Sequence, residues 1–467
     1  MPGGSTVTLR RRAPLRRRAK GRGSRVRSGG GRASMLLLAC ALTLGACAPV
    51  DGPADRPLDR EPVRVDESLG VVRVQPGSFV EVRMVLDVEG DPEGLAPILE
   101  AAFRAAVEDF GAVQQGFRIH LGEIVTTSCD RDSGADAGRE LVDATDTGVV
   151  VALLGPQCTA TLLGLQGPAS AAGMTIVTSR PQASTLTLGP DGVIGQERAD
   201  GVWRTSPSSL AEARAAAQHA ATDLELGRAV TLHDGSIESI AVAETFRLRF
   251  EALGGTVVLA RQLDPALTGE DEESAEAALD ELLDAMASSE ADVALLALDE
   301  VELLAVGAGL AGRSRLAGIV RMTTSASATA GVLADDASVG LLVAGPVLEF
   351  DGVNAVTGMS ASQTLERVSA DSGVGSPAGW WAYAYDAATL LLKSLEDSSL
   401  IDVDGSFVLS RAELRATMAR AGLGGLTGDI RCSPEGDCAA RRIAIRERGE
   451  EDVATLSGLP VVATIID

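Results

Sequence analysis

Val149–Ser170, VVVALLGPQCTATLLGLQGPAS, is the stretch whose reading decides the fold. A continuous apolar run stops at Gly155-Pro156, and the hydroxyl residues Thr159 and Thr161 open a helical pattern. The spacing predicts a buried strand whose carboxyl end feeds a helix amino terminus. Unpaired N–H groups and the helix dipole make such a junction attractive to an anion such as a carboxylate. Ligands of open α/β sheets gather at this edge. The competing reading is that Thr159 or Thr161 simply caps the helix.

The same rhythm extends on both sides. Upstream, Phe79–Leu86 alternates like a strand, and Leu95, Ile98, Leu99, Ala102, Phe103, Ala106, Val107 and Phe110 fall on one helical face. Phe117–Leu121 reads as a strand, Ala135–Ala144 as a helix and Thr175–Thr178 as a further short strand. After Trp203–Pro207 the pattern restarts: an Ala-rich helix over Pro207–Leu224 with Ser206 as its cap, then strand Arg228–His233 ending in Asp234-Gly235-Ser236. Helices over Ile237–Leu253, Glu270–Ser289 and Glu300–Ala311 alternate with strands Thr256–Arg261, Val293–Leu298, Gly318–Met322 and Gly340–Val343. Two βαβ-rich halves that part near residue 205 predict an α/β protein of two doubly wound parallel-sheet lobes with a gap between them.

Composition agrees. A chain of 467 residues has room for two sizeable domains, and 45% apolar against 3% aromatic residues implies a core of Ala, Val and Leu. Of the 41 Lys and Arg, 11 fall in residues 1–46, where no acidic residue stands, leaving 30 basic against 65 acidic side chains in the remainder. Such a body repels nucleic acid and anionic lipid, so the basic amino terminus is not evidence of a DNA binder. Met35–Ala46 is an apolar run too short to span a bilayer, and it ends in Leu44-Gly45-Ala46-Cys47. That ending resembles the lipobox of bacterial lipoproteins. The resemblance implies a signal peptide over 1–46, lipidation of Cys47 and export to the cell envelope, with 47–70 as a Pro-rich tether.

Setting aside Cys40 and Cys47 leaves Cys129, Cys158, Cys432 and Cys438. An even remainder in an exported chain predicts two local disulfides, Cys129–Cys158 and Cys432–Cys438. Zinc is the weaker alternative, because no two of these cysteines have CxxC spacing and His120, His219 and His233 lie in unrelated patterns.

Several motifs then stand in order: LLGPQCTAT at Leu153–Thr161, VTSRPQASTLT at Val177–Thr187, VWRTSPSSLAEA at Val202–Ala213, AVTLHDGS at Ala229–Ser236, AETFRLRFEALGGTVV at Ala243–Val258, DVALLAL at Asp292–Leu298, YAYDAATLLLKSLE at Tyr383–Glu396 and GLTGDIRCSPEGDC at Gly425–Cys438. In this order the chain resembles a type I periplasmic solute-binding protein of the branched-chain amino-acid ABC transporter family. The resemblance implies three crossings between lobes, near Thr205, Gly345 and Arg441. It divides the chain into an amino-terminal lobe of 71–205 plus 346–440 and a second lobe of 206–345 plus 441–467. It also implies that Thr159, Ala160 and Thr161 hold a carboxylate, with Ser179, Arg180 and Gln182 adding contacts from the next loop. Asp234, Glu238 and Thr323 are the second-lobe candidates. At two places the chain departs from the family: Ile237-Glu238 replaces an aromatic residue, and the segment around Thr323–Ser325 lacks the carboxylate that takes a ligand's amino group. Arg180 beside a helix terminus would favour a multiply anionic ligand.

No GxSxG elbow, HExxH, P-loop or strand-bound GxGxxG is present, so the sequence reads as a binder without cofactor or metal rather than an enzyme. The expected function is capture of an amino acid or similar small carboxylate for an ABC permease, from a lipid anchor in the membrane and with no nucleic-acid partner. The alternative from a different class is a ligand sensor or scaffold lipoprotein that regulates a partner protein.

Overall fold

The computed structural model describes residues 61–466 apart from 92–93, 146–149, 189–194, 376, 452 and 454. The basic terminus, the apolar run and Cys47 lie outside the described residues. Among the described residues no helix is long and apolar enough to cross a membrane.

In chain order the first half comprises β1 (Val71–Val74), β2 (Val80–Asp87), α1 (Ala96–Phe110), β3 (Ala112–Val113), β4 (Phe117–Thr127), α2 (Arg131–Thr145), β5 (Val150–Leu154), α3 (Thr159–Ala171), β6 (Thr175–Thr178) and β7 (Val202–Arg204). There follow α4 (Ser209–Gln218), β8 (Arg228–His233), α5 (Ile237–Ala252), β9 (Thr256–Gln262), α6 (Glu272–Ser289), β10 (Val293–Ala297), α7 (Glu300–Gly312), β11 (Val320–Thr324), α8 (Ala330–Ala334) and β12 (Leu342–Pro346). The chain ends with α9 (Ala361–Ser372), α10 (Trp380–Ser398), β13 (Ser399–Ile401), β14 (Phe407–Ser410), α11 (Arg411–Met418), the hairpin β15 (Gly422–Gly424) and β16 (Asp429–Arg431), β17 (Arg442–Glu447) and β18 (Val461–Ile466).

Two sheets carry the architecture. The first runs β3-β4-β2-β5-β6-β7 and is parallel except at β3. The second runs β18-β17-β12-β11-β10-β8-β9, parallel from β9 to β12, with β17 and β18 closing it antiparallel. Alternation along each strand feeds both faces. In the first sheet Val82 and Met84 join Phe103 of α1 and Leu391 of α10, while Val85 and Leu153 join Leu162 and Leu165 of α3. In the second sheet Leu295 packs with Phe246 and Phe250 of α5, and Leu296 with Leu283 of α6 and Leu303 of α7. Each sheet is thus the middle of a three-layer sandwich, and each sandwich is one lobe. The chain leaves the first sheet after β7, returns after β12 to pack α9 and α10 against that sheet's core, and rejoins the second sheet at β17.

Several boundaries differ from the sequence expectation. The helix predicted from Pro207 starts at Ser209, and its cap is Ser208, whose hydroxyl accepts from the Ala211 amide. Ser206 is buried and donates instead to the Pro181 carbonyl, 3.1 Å away, tying the crossing to the loop after β6. Helix α2 starts four residues early, at Arg131, because Asp130 accepts from the Ser133 amide at 2.8 Å. Strand β4 continues to Thr127, beyond the apolar part of its sequence, since β2 pairs with it to that point.

Both disulfides form, Cys129–Cys158 across 29 residues and Cys432–Cys438 across 6. In the loop-closure account the longer bridge is worth roughly 3–4 kcal/mol and the shorter about 2. Replacing Cys129 and Cys158 together by serine is therefore expected to lower the urea midpoint more than replacing Cys432 and Cys438. Equal losses, or the reverse order, would show that strain or residual unfolded-state structure outweighs closure entropy.

Candidate functional site

Strand order reverses at β2, with β4 on one side and β5 on the other, so the first lobe's crevice opens between the carboxyl ends of β2 and β5. Gly155 turns the chain there at φ +92°, and a Cβ on it would lie 2.1 Å from the Val85 carbonyl oxygen, so only glycine lets the end of β5 approach β2. The anion at this junction is the protein's own. Asp87, fully buried at the end of β2, accepts from the amides of Cys158 (2.9 Å), Gln157 (3.1 Å) and Cys129 (3.2 Å), from the Thr127 hydroxyl (2.8 Å) and from the Thr161 hydroxyl. Gln157 completes the contact, since its side-chain oxygen accepts from the Asp87 amide (3.0 Å) and its side-chain nitrogen donates to the Asp87 carbonyl (2.6 Å). This corrects the expectation for Thr161, which is buried with its hydroxyl committed to Asp87. Thr159 and Ala160, in the first turn of α3, stay partly exposed.

The loop after β6 reaches the second lobe. Ser179 is buried, and the Arg180 guanidinium lies over the Trp380 ring, 5.1 Å from its centroid. Trp380 and Trp381 are buried in the first-lobe core with Tyr383 and Phe350, so neither presents a free face. Two second-lobe carboxylates grip the rest of the loop. Glu238, in the first turn of α5, accepts from the Ser184 amide (2.9 Å) and hydroxyl (2.7 Å) and from the Ser209 hydroxyl. Glu212 of α4 accepts from the Gln182 side-chain nitrogen (2.6 Å), the Ser325 amide (2.9 Å) and the Ser325 hydroxyl (2.8 Å). Arg204 holds this loop from behind: its guanidinium donates to the Ala183 carbonyl (2.6 Å) and the Thr187 hydroxyl (2.6 Å) and pairs with Asp437 at 2.6 Å.

Burial dominates the electrostatics here. Glu212 is fully buried, and desolvation, offset in part by its hydrogen bonds to Ser325 and Gln182 and reinforced by Glu238, pushes its pKa up to about 8. In the second lobe's own crevice, burial together with Asp299 and Asp234 raises Glu302 to about 7. Asp234 accepts from the Ser236 amide (2.7 Å) and the Ser239 hydroxyl, a turn role at the end of β8. Thr323 is completely buried and donates to the Leu296 carbonyl at 2.6 Å, so its hydroxyl serves the sheet.

The structure thus brings Gln182 and Glu238 together with three residues the sequence reading did not single out: Ser184, Glu212 and Ser325. The carboxylate missing from the Thr323–Ser325 segment is delivered to Ser325 from helix α4. A signal for Glu212 was present. It falls three residues after Ser209 and four before Ala216, in the middle of a stripe of buried small residues, where a carboxylate needs partners. Ser325 becomes visible only once α4 closes on the second sheet, and Ser184 only once the two lobes meet.

Comparison with known proteins agrees with this architecture. A family model described as periplasmic binding protein matches residues 80–447. No curated protein is a sequence match to the chain. Among solved structures, the leucine-binding protein LivK of Thermotoga maritima superposes with a TM-score of 0.58 at 18% identity, covering 83% of this chain and 99% of its own. A substrate-binding protein of an ABC transporter from Desulfitobacterium hafniense, in complex with Leu, reaches 0.59 at 17% identity over 82% of this chain and 100% of its own. A solute-binding protein from R. palustris in complex with benzoate gives 0.51 at 21% identity over 83% and 98%. With the match covering the first sheet, the second sheet up to β17 and the polar cluster between them, the chain belongs to the periplasmic binding protein family.

Proposed function

We propose that this protein captures an amino acid or similar small carboxylate between its two lobes and delivers it to an ABC permease, held to the cell envelope by lipid on Cys47. The observation that carries the reading is the convergence of polar groups from three parallel-strand carboxyl ends. The loop after β6 supplies Gln182 and Ser184, β11 runs into Ser325, and β8 leads into Glu238. A zwitterion suits this polarity, its ammonium meeting Glu212 or Glu238 and its carboxylate meeting hydroxyls and amides of the first lobe, with Thr159 and Ala160 as further donors. The leucine and benzoate held by the structural relatives are both small solutes with one carboxylate. Family membership assigns no catalytic step.

Isothermal titration against L-leucine, the other amino acids, benzoate and 3,4-dihydroxybenzoate tests the proposal. Saturable heat with one class is expected, and silence from every member would remove the amino-acid and carboxylate claim while leaving the fold intact. One observation favours the alternative, a sensor that acts on a partner protein without transport. Glu238 occupies the turn where the family resemblance implies an aromatic residue, and it is already engaged by Ser184 and Ser209. Permease and ATPase genes beside this one would favour transport, and an isolated gene the sensor.

A further inference from the structure

We infer that Glu238 is a resident occupant of an anion cradle, an internal carboxylate that latches the two lobes before any solute arrives and that an incoming solute carboxylate must displace. This rests on the reading of the inter-lobe gap as the binding site. The cradle consists of the Ser184 amide and hydroxyl from the first lobe and the Ser209 hydroxyl at the start of α4. Ser184 is 2% and Ser209 1% exposed, so these donors have little access to water and need an acceptor from the protein or from a ligand. Both Glu238 oxygens are used, one against the Ser184 hydroxyl and amide and the other against Ser209, the pattern by which hydroxyl and amide groups grip any free carboxylate. Ser184 itself is held in place, because the Arg204 guanidinium pins the carbonyl of Ala183 on one side and the hydroxyl of Thr187 on the other.

Glu238 has the freedom such a role requires. It lies in the first turn of α5, half-buried, between the exposed side chains of Ile237 (59%) and Ile240 (44%). Its withdrawal from the cradle leaves α5 packed on the second sheet through Val242, Phe246 and Phe250. Glu212 lies beside it, and a Glu238 displaced from the cradle is free to pair with a cationic group entering with the solute. The ligand-free protein is therefore bridged, and solute binding is an exchange of one carboxylate for another rather than the filling of a bare cleft.

Small-angle scattering on the full secreted chain, with Cys47→Ser to keep it free of lipid and with bound solute removed by unfolding and refolding, reads the latch without any solute titration. Solute-free protein with an unaltered Glu238 is expected to be compact. Glu238→Ala is expected to show a larger radius of gyration, and adding sodium acetate, a carboxylate small enough to enter the emptied cradle, is expected to restore the compact value. Glu238→Gln keeps one acceptor oxygen and should fall between the two. Its near-UV circular dichroism and that of Glu238→Ala check that both variants are folded. An extended solute-free protein, a compact Glu238→Ala variant or a failure of acetate to reclose it would each overturn the proposal. A negative titration panel with a positive scattering result would instead remove only the proposed solute class.

Discussion

Asp87→Ala is expected to destabilise the protein by about 3–5 kcal/mol, the scale of breaking a buried hydrogen-bond network and leaving several donors unsatisfied. The carboxylate is fully buried and accepts from three backbone amides and two hydroxyls. Alanine leaves those donors facing one another, and each unsatisfied buried group costs about 1–3 kcal/mol. The damage extends beyond local packing. The amides of Cys129 and Cys158 are both held by this side chain, so it aligns the two segments that the disulfide then joins. Asp87→Asn should be intermediate, since an amide keeps one acceptor oxygen but turns an NH2 group toward donors. Urea unfolding measures the loss directly. A midpoint for Asp87→Ala matching the unaltered protein would mean that the five donors find other acceptors, and the account of this junction would fail.

The second large effect concerns pH. Glu212 titrates near 4.5 in an unfolded chain and at about 8 in the folded protein, because burial disfavours its charge. Between those values the folded state holds a proton that the unfolded state has released, so stability falls as pH rises through that window and is flat below it. Glu302, raised to about 7, and Asp386, raised to about 6 by burial against its hydrogen bonds from Thr427 and Leu426, add losses of the same sign over narrower ranges. Glu212→Gln removes the largest contribution while keeping an acceptor for the Ser325 amide. It should be close to neutral at pH 5 and stabilising at pH 8 by an amount on the order of 4 kcal/mol. Unfolding curves at both pH values decide it. A gain that is equal at pH 5 and pH 8 would show that Glu212 is charged throughout.

Much of the fold was legible because the strands are buried on both faces. Val150–Leu154 and Val293–Ala297 read as short apolar runs, and helix α1 carries one continuous apolar face. Boundaries slipped where polar residues do structural work: Ser206 bonds to another loop, and Asp130 starts α2 ahead of any apolar signal. The site was less legible for a different reason. A helix amino terminus after β5 attracts an anion, as the sequence implied, but the sequence could not say that Asp87, some seventy residues upstream, would be that anion. Likewise Glu212 and Ser325 are 113 residues apart, and only the closing of the second sandwich makes them one contact.

The interleaving of the lobes bears on how such a chain is exported. The first sandwich needs α10, which comes after the second sheet's parallel strands, and the second sheet is closed only by β17 and β18 at the far end. A polypeptide threaded outward from its amino terminus therefore has no complete lobe to collapse into until α10 has emerged, and no complete second lobe until Arg442–Ile466 follows. Late completion keeps the thread slack enough to be pulled through a pore before either sandwich closes.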